Sequence, residues 1–127
     1  MNRKIEVIKK FNNILKSLLL QLSSIIGKKY FNKFCKIIKY NSIMPINYWS
    51  ENCLDFKDQI MRRDEEYFIK RDIKKNNFKE NDISEILKLK CIYSKVDNES
   101  KKNIWSYLQV LMVITEEYNK LKIINHY

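Results

Sequence analysis

Glycine and proline occur once each in this chain of 127 residues, as Gly27 and Pro45, and histidine occurs once, as His126. Tight turns draw on glycine and proline, and strand-rich domains need many such turns. Their scarcity therefore argues against sheets and barrels and for helices with few sharp reversals. The same shortage removes several chemistries from the linear sequence. There is no Walker-type glycine loop, no GxGxxG, no GxSxG and no HExxH. Cysteine is sparse as well: Cys35, Cys53 and Cys91 are odd in number, widely spaced and free of any CxxC pair. A structural zinc site needs four soft ligands at close spacing, so no metal and no cofactor is expected, and the three cysteines read as buried thiols in a reducing compartment. No apolar run approaches the roughly 20 residues of a spanning helix. Lys9, Lys10, Asn12, Asn13 and Lys16 interrupt the N-terminal apolar residues, unlike the core of a signal peptide. The expectation is one soluble, intracellular domain.

Helical periodicity is what the sequence has in abundance. Ile104, Tyr107, Leu111, Ile114, Tyr118 and Leu121 recur at spacings of three and four, which lines one helix face. Trp105, Leu108, Val110, Met112 and Val113 widen that stripe over most of the circumference, as in a helix surrounded by others. Residues 3–26 carry a second stripe, Ile8, Phe11, Leu15, Leu18, Leu22 and Ile25, with Lys4, Lys9, Lys10, Asn12, Asn13 and Lys16 on the polar side and Gly27 at the C-cap. An amphipathic helix lying on a membrane surface is the alternative for this segment. Residues 28–40 form a shorter helix with Tyr30, Phe31, Phe34, Ile37 and Ile38 inward. Asn41–Ser50 reads as a loop, because Pro45 biases Met44 away from helix; Tyr48 and Trp49 fold back over the core, and Ser50 caps the next helix. The helical segment 51–70 contains a helix over 51–62 and a further turn capped by Asp64. Arg71–Asn81 is a polar connector, Asp82 with Glu85 opens a helix over 83–95, and Asp97 or Asn98 caps the last helix, which runs to about 122. The whole is an all-α, single compact bundle of about five helices with the C-terminal helix central, 83–122 forming a helical pair.

Net charge is +10, and it is unevenly placed. Residues 1–40 hold ten Lys or Arg against one acid, Glu6, and so carry +9; the other 87 hold fifteen basic and fourteen acidic side chains and carry +1. Such asymmetry points to nucleic acid, an acidic protein or an anionic membrane, against a plain solvated face. Lys28, Lys29, Lys33, Lys36 and Lys39 are the candidate nucleic-acid contacts. Lys29, Lys33 and Lys36 share one side at helical spacing, where their ammonium groups can follow a phosphate backbone, with Tyr30 and Tyr40 near enough to stack on bases. The carboxylates Asp55, Asp58, Asp64, Glu65 and Glu66 suggest a metal or acid–base site. No histidine is near, however, and Lys57, Arg62, Arg63 and Lys70 can neutralise them as surface pairs.

Two segments, DFKDQIMRRDEEYFIKRD from Asp55 to Asp72 and IWSYLQVLMVITEEYNK from Ile104 to Lys120, carry a resemblance. Asp64, Glu65 and Phe68, followed by Ile104, Trp105, Tyr107, Leu108, Gln109, Leu111, Glu117 and Tyr118, are similar to short helical proteins of giant DNA viruses of the mimivirus and phycodnavirus kind. The resemblance covers roughly the C-terminal half. It implies a viral source and a setting in the virion or in a virus factory of the host cytoplasm, and it supplies no catalytic residues. Two functions emerge as expectations. The first is a non-enzymatic interaction protein that docks onto a viral or host protein through Tyr48, Trp49 and Met112, as monomer or homo-oligomer. The second is a nucleic-acid-associated protein using the lysine-rich helices.

Overall fold

A computed structural model describes residues 2–70 and 93–124. Among the described residues the complete elements run in chain order as α1 Arg3–Ile26, α2 Lys29–Tyr40, α3 Met44–Asn52, a 3₁₀ turn Leu54–Phe56, α4 Lys57–Met61, α5 Glu65–Lys70 and α6 Asn98–Ile124. The fold is all-α, with no strand among the described residues. The 27-residue α6 lies along the 24-residue α1 and also packs on α3, the 3₁₀ turn and α4, so it is central as its periodicity predicts. The connector over 71–81, the Asp82 capping box, most of the helix over 83–95, Cys91 and the tail over 125–127 lie outside the described residues.

Two apolar clusters meet along α6. Val7, Ile8 and Phe11 of α1, Ile46 of α3, and Leu111, Ile114 and Tyr118 of α6 form the larger one. Ile60, Trp105 and Met112 form the smaller, with Cys53, Leu54 and Phe56 packed on it. Leu108 touches both. The stripe read from the sequence is thus the buried one, but Val110 and Val113 are not part of it, at 42% and 53% exposure. One helix face cannot turn in all directions at once. The neighbours of α6 cover the arc through Leu111 and Tyr118, and these two valines fall outside it.

Local chemistry sets the ends of the elements. The Asn2 side chain accepts from the Lys4 amide at 2.9 Å and caps α1. Gly27 closes it at φ 82, ψ 170. That is an extended, positive-φ conformation reserved for glycine rather than the left-handed helical one common where helices end on glycine. α4 ends in a Schellman arrangement, with Arg63 N–H bonded to Ile60 O and Asp64 N–H to Gln59 O. A glycine would suit this site; Arg63 stands there at φ 54. The Asp64 and Asp97 carboxylates cap the following helices as expected, accepting from the Tyr67 and Ser100 amides at 3.2 and 2.7 Å.

The expected loop over Asn41–Ser50 is in fact mostly helix α3. Pro45 falls in its first turn, where a missing N–H is harmless and the fixed φ is already helical. The polar residues that resemble turn formers make contacts to the core helix instead. Asn47 accepts from the Tyr118 hydroxyl at 2.7 Å, and Ser50, which caps nothing, donates to Asn119 Oδ1 at 2.9 Å. Cys53 closes α3, and the helix expected over 51–62 begins at Lys57 after the 3₁₀ turn. Asn12 is likewise buried rather than outward, its amide donating to Ser42 O at 2.9 Å across the α2–α3 corner.

Candidate nucleic-acid interface

α2 is built with two unlike sides. Phe34 is buried, and Tyr30, Phe31, Ile37 and Ile38 are half-buried, where the helix lies on α1 and α3. The opposite side holds Lys28, Lys29, Asn32, Lys33, Lys36, Lys39 and Tyr40, every one of them exposed. Lys29, Lys33, Lys36 and Tyr40 stand at i, i+4, i+7 and i+11, which is a single stripe about 16 Å long at 1.5 Å per residue. The five candidate lysines are thus together on one face.

None of the five belongs to an ion pair among the described residues. Those pairs use other cations: Arg3 with Glu6 and Glu117, Lys57 with Glu116, Arg62 with Asp64, and Arg63 with Glu65. Lys29 sits over the half-buried ring of its neighbour Tyr30, 5.9 Å from the centroid. Less of the Tyr30 ring is therefore open to solvent than of the exposed Tyr40. Repeated like charges at i+3 and i+4 repel, so the face destabilises the helix that carries it.

At the end of the stripe the chain turns a braced corner. Asn41 Oδ1 accepts from the Ile43 amide at 3.2 Å, Asn12 holds Ser42 from α1, and Ile46 is fully buried. Four large side chains remain exposed around it: Tyr40 at 90%, Tyr48 at 65%, Met44 at 52%, and Ile43.

The three candidate protein contacts are not together on one surface. Tyr48 is exposed, but Trp49 is half-buried with its ring edge-on to Phe11, centroids 6.0 Å apart. Met112 has no exposed surface at all, because it points from α6 into the Ile60–Trp105 cluster; as a contact it is a correction to the expectation.

The acidic group is scattered as well. Asp55 and Asp58 are exposed, Asp64 caps α5, and Glu65 is taken up by Arg63. Among the described residues, no three His, Cys, Asp or Glu side chains come close enough to share a metal ion. A shallow depression lined by Arg62, Arg63, Asp64, Glu65 and Glu66 carries both signs of charge.

One polar cluster was not visible in the sequence. Trp105 Nε1–H donates to the Tyr93 hydroxyl at 2.8 Å, and that hydroxyl donates to Glu65 Oε1 at 2.7 Å. Arg63 donates to the same oxygen at 3.2 and 3.3 Å. The Tyr93 hydroxyl, with help from Arg63, holds the Glu65 carboxyl below the usual glutamate range, whereas burial pushes the Tyr93 phenol up. Burial also raises the Cys53 thiol to about 11. Cys35 and Cys53 are free and half-buried rather than fully buried. Among the described residues, no helix is long and apolar enough to cross a membrane. No protein-family model, curated protein or solved structure matches this chain.

Proposed function

We propose that this is a non-enzymatic helical protein that holds nucleic acid on the lysine face of α2. The observation that carries the proposal is the exposed set Lys28, Lys29, Lys33, Lys36 and Lys39, without an ion pair among the described residues, on one side of a helix whose other side is fixed to the bundle. A face that repels itself is neutralised by a polyanion, and release of condensed counterions drives the association. The virion or virus-factory setting implied by the C-terminal resemblance belongs to this proposal and suits a nucleic-acid-bound component.

A salt titration tests it. With about five phosphate contacts, log affinity against log salt should have a slope near −3.5 on a single strand or −4.5 on duplex. Exchanging Lys29, Lys33 and Lys36 together for Gln should bring the slope to roughly −1.5 to −2. No binding at 50 mM salt, or a slope untouched by the triple exchange, refutes the assignment.

A second reading, docking of a viral or host protein, is favoured by exposed Ile43, Met44 and Tyr48 at the braced corner. It predicts a partner retained at high salt and lost on Met44→Asp, with the lysine exchanges having little effect.

A further inference from the structure

We infer that the nucleic acid held on this face is single-stranded, and that Tyr40 is the surface on which one of its bases stacks. The inference rests on the assignment of the α2 face to nucleic acid. Three observations converge on Tyr40. Its ring is 90% exposed, far more than any other large apolar or aromatic side chain among the described residues, and it has neither ring nor hydrogen-bond partner there. It stands in register with Lys29, Lys33 and Lys36, so a strand whose phosphates follow those lysines reaches the ring at the end of the stripe. The backbone presenting it is braced: Asn41 N–H bonds to Ile37 O at 2.8 Å, and Asn12 ties the next residue to α1.

Exposing a large aromatic to water on all sides gains nothing for the fold, whereas an aromatic face beside a cationic track is the arrangement on which unpaired bases stack. A duplex keeps its bases inside their own stack and offers that ring nothing but its backbone. The lysines therefore serve either form, and Tyr40 serves only the open one. Tyr48 on α3 is the second exposed ring at the corner and the candidate for the next base.

The test compares an unstructured 20-mer oligo(dT) with a mixed-sequence 20-base-pair duplex, at one salt concentration, by fluorescence anisotropy. Tyr40→Ala should weaken the single strand by roughly 5- to 100-fold and leave the duplex within twofold, while Tyr40→Phe should bind like the parent. Lys33→Gln with Lys36→Gln should weaken both forms alike. Helical circular dichroism of each variant checks that the bundle is intact, as expected for outward side chains. Equal losses on both forms with Tyr40→Ala, or none on the single strand, overturn this inference and leave the lysine assignment standing. Failure of the parent protein to bind either form overturns both.

Discussion

Replacing Tyr93 by Phe deletes one oxygen and two hydrogen bonds, and the structure sets both the size and the pH dependence of the result. The hydroxyl accepts from Trp105 Nε1, on a ring only 6% exposed, and donates to Glu65 Oε1. A neutral buried bond contributes about 1 kcal/mol and one to a carboxylate about 1.5 to 3. The Glu65 side chain is 34% exposed, so water recovers part of the second term. Together they place the loss at about 2 kcal/mol. For a chain of this size that lowers Tm by about 8 °C. The effect has a pH signature. A carboxyl whose folded pKa is depressed contributes stability that is fully present above its unfolded pKa and disappears as pH falls through the folded value. Glu65 is of that kind, with the Tyr93 hydroxyl the largest cause. The difference between parent and Tyr93→Phe should therefore be widest at neutral pH. It should narrow as pH drops below about 4.3, the ordinary glutamate value. Urea unfolding of both proteins at pH 7 and pH 3 measures it, and other titrating groups cancel in the subtraction. A difference under about 0.5 kcal/mol at pH 7, or one unchanged at pH 3, would show that this relay is not what joins α5 to α6.

Gly27→Ala meets no steric neighbour, since nothing lies within 4 Å of an added Cβ, so any loss comes from backbone conformation alone. Thermal unfolding should show a destabilisation of about 1 to 3 kcal/mol with an unchanged denaturant m-value. Adjacent residues of α6 should respond in opposite ways to one charge. Met112→Lys buries an unpaired ammonium in the Ile60–Trp105 cluster and should abolish cooperative unfolding. Val113→Lys, on the exposed side, should shift stability by no more than about 0.5 kcal/mol. Similar outcomes for the two would contradict the orientation of α6.

The long helices were legible because their periodicity is strong and their ends carry named signals. The span Arg3–Ile26 with Gly27 beyond it comes directly from residue types, and so does a cap of α6 at Asp97 or Asn98, of which the structure takes Asp97. α3 was hidden because Pro45, Asn47 and Ser50 look alike in a loop and in a first helical turn facing polar partners. Only the tertiary contacts Asn47–Tyr118 and Ser50–Asn119 separate the two cases. Arg63 at a glycine-type position was equally unreadable, because six-to-one bonding over a helix end leaves no mark on composition. Of the candidate site, the lysine stripe could be read in full, since helical spacing fixes which side chains share a face. Which aromatics stay uncovered could not: Trp49 found Phe11, while its neighbour Tyr48 stayed out. The meeting of Glu65, Tyr93 and Trp105 is a matter of helix crossing, for which sequence separation gives no measure.

The lysine face also allows stability and binding to be set against each other. Lys29 and Lys33 are i,i+4 neighbours, and Lys33 and Lys36, then Lys36 and Lys39, are i,i+3 neighbours; each such like-charged pair destabilises a helix by roughly 0.2 to 0.5 kcal/mol. None of these side chains contributes an ion pair among the described residues in return, and all point away from the packed side of α2. The Lys29, Lys33, Lys36 triple exchange to Gln should therefore make the protein more stable, by about 0.6 to 1.5 kcal/mol at low salt, with the gain shrinking as salt screens the repulsion. The same exchange should cost most of the affinity for nucleic acid. Opposite signs in the two measurements are the signature of a surface kept for binding at the expense of the fold. A gain in stability with nucleic-acid affinity intact would mean that the lysines merely face water. A loss of stability would mean that they have anionic neighbours, and the polyanion would no longer be needed to account for them.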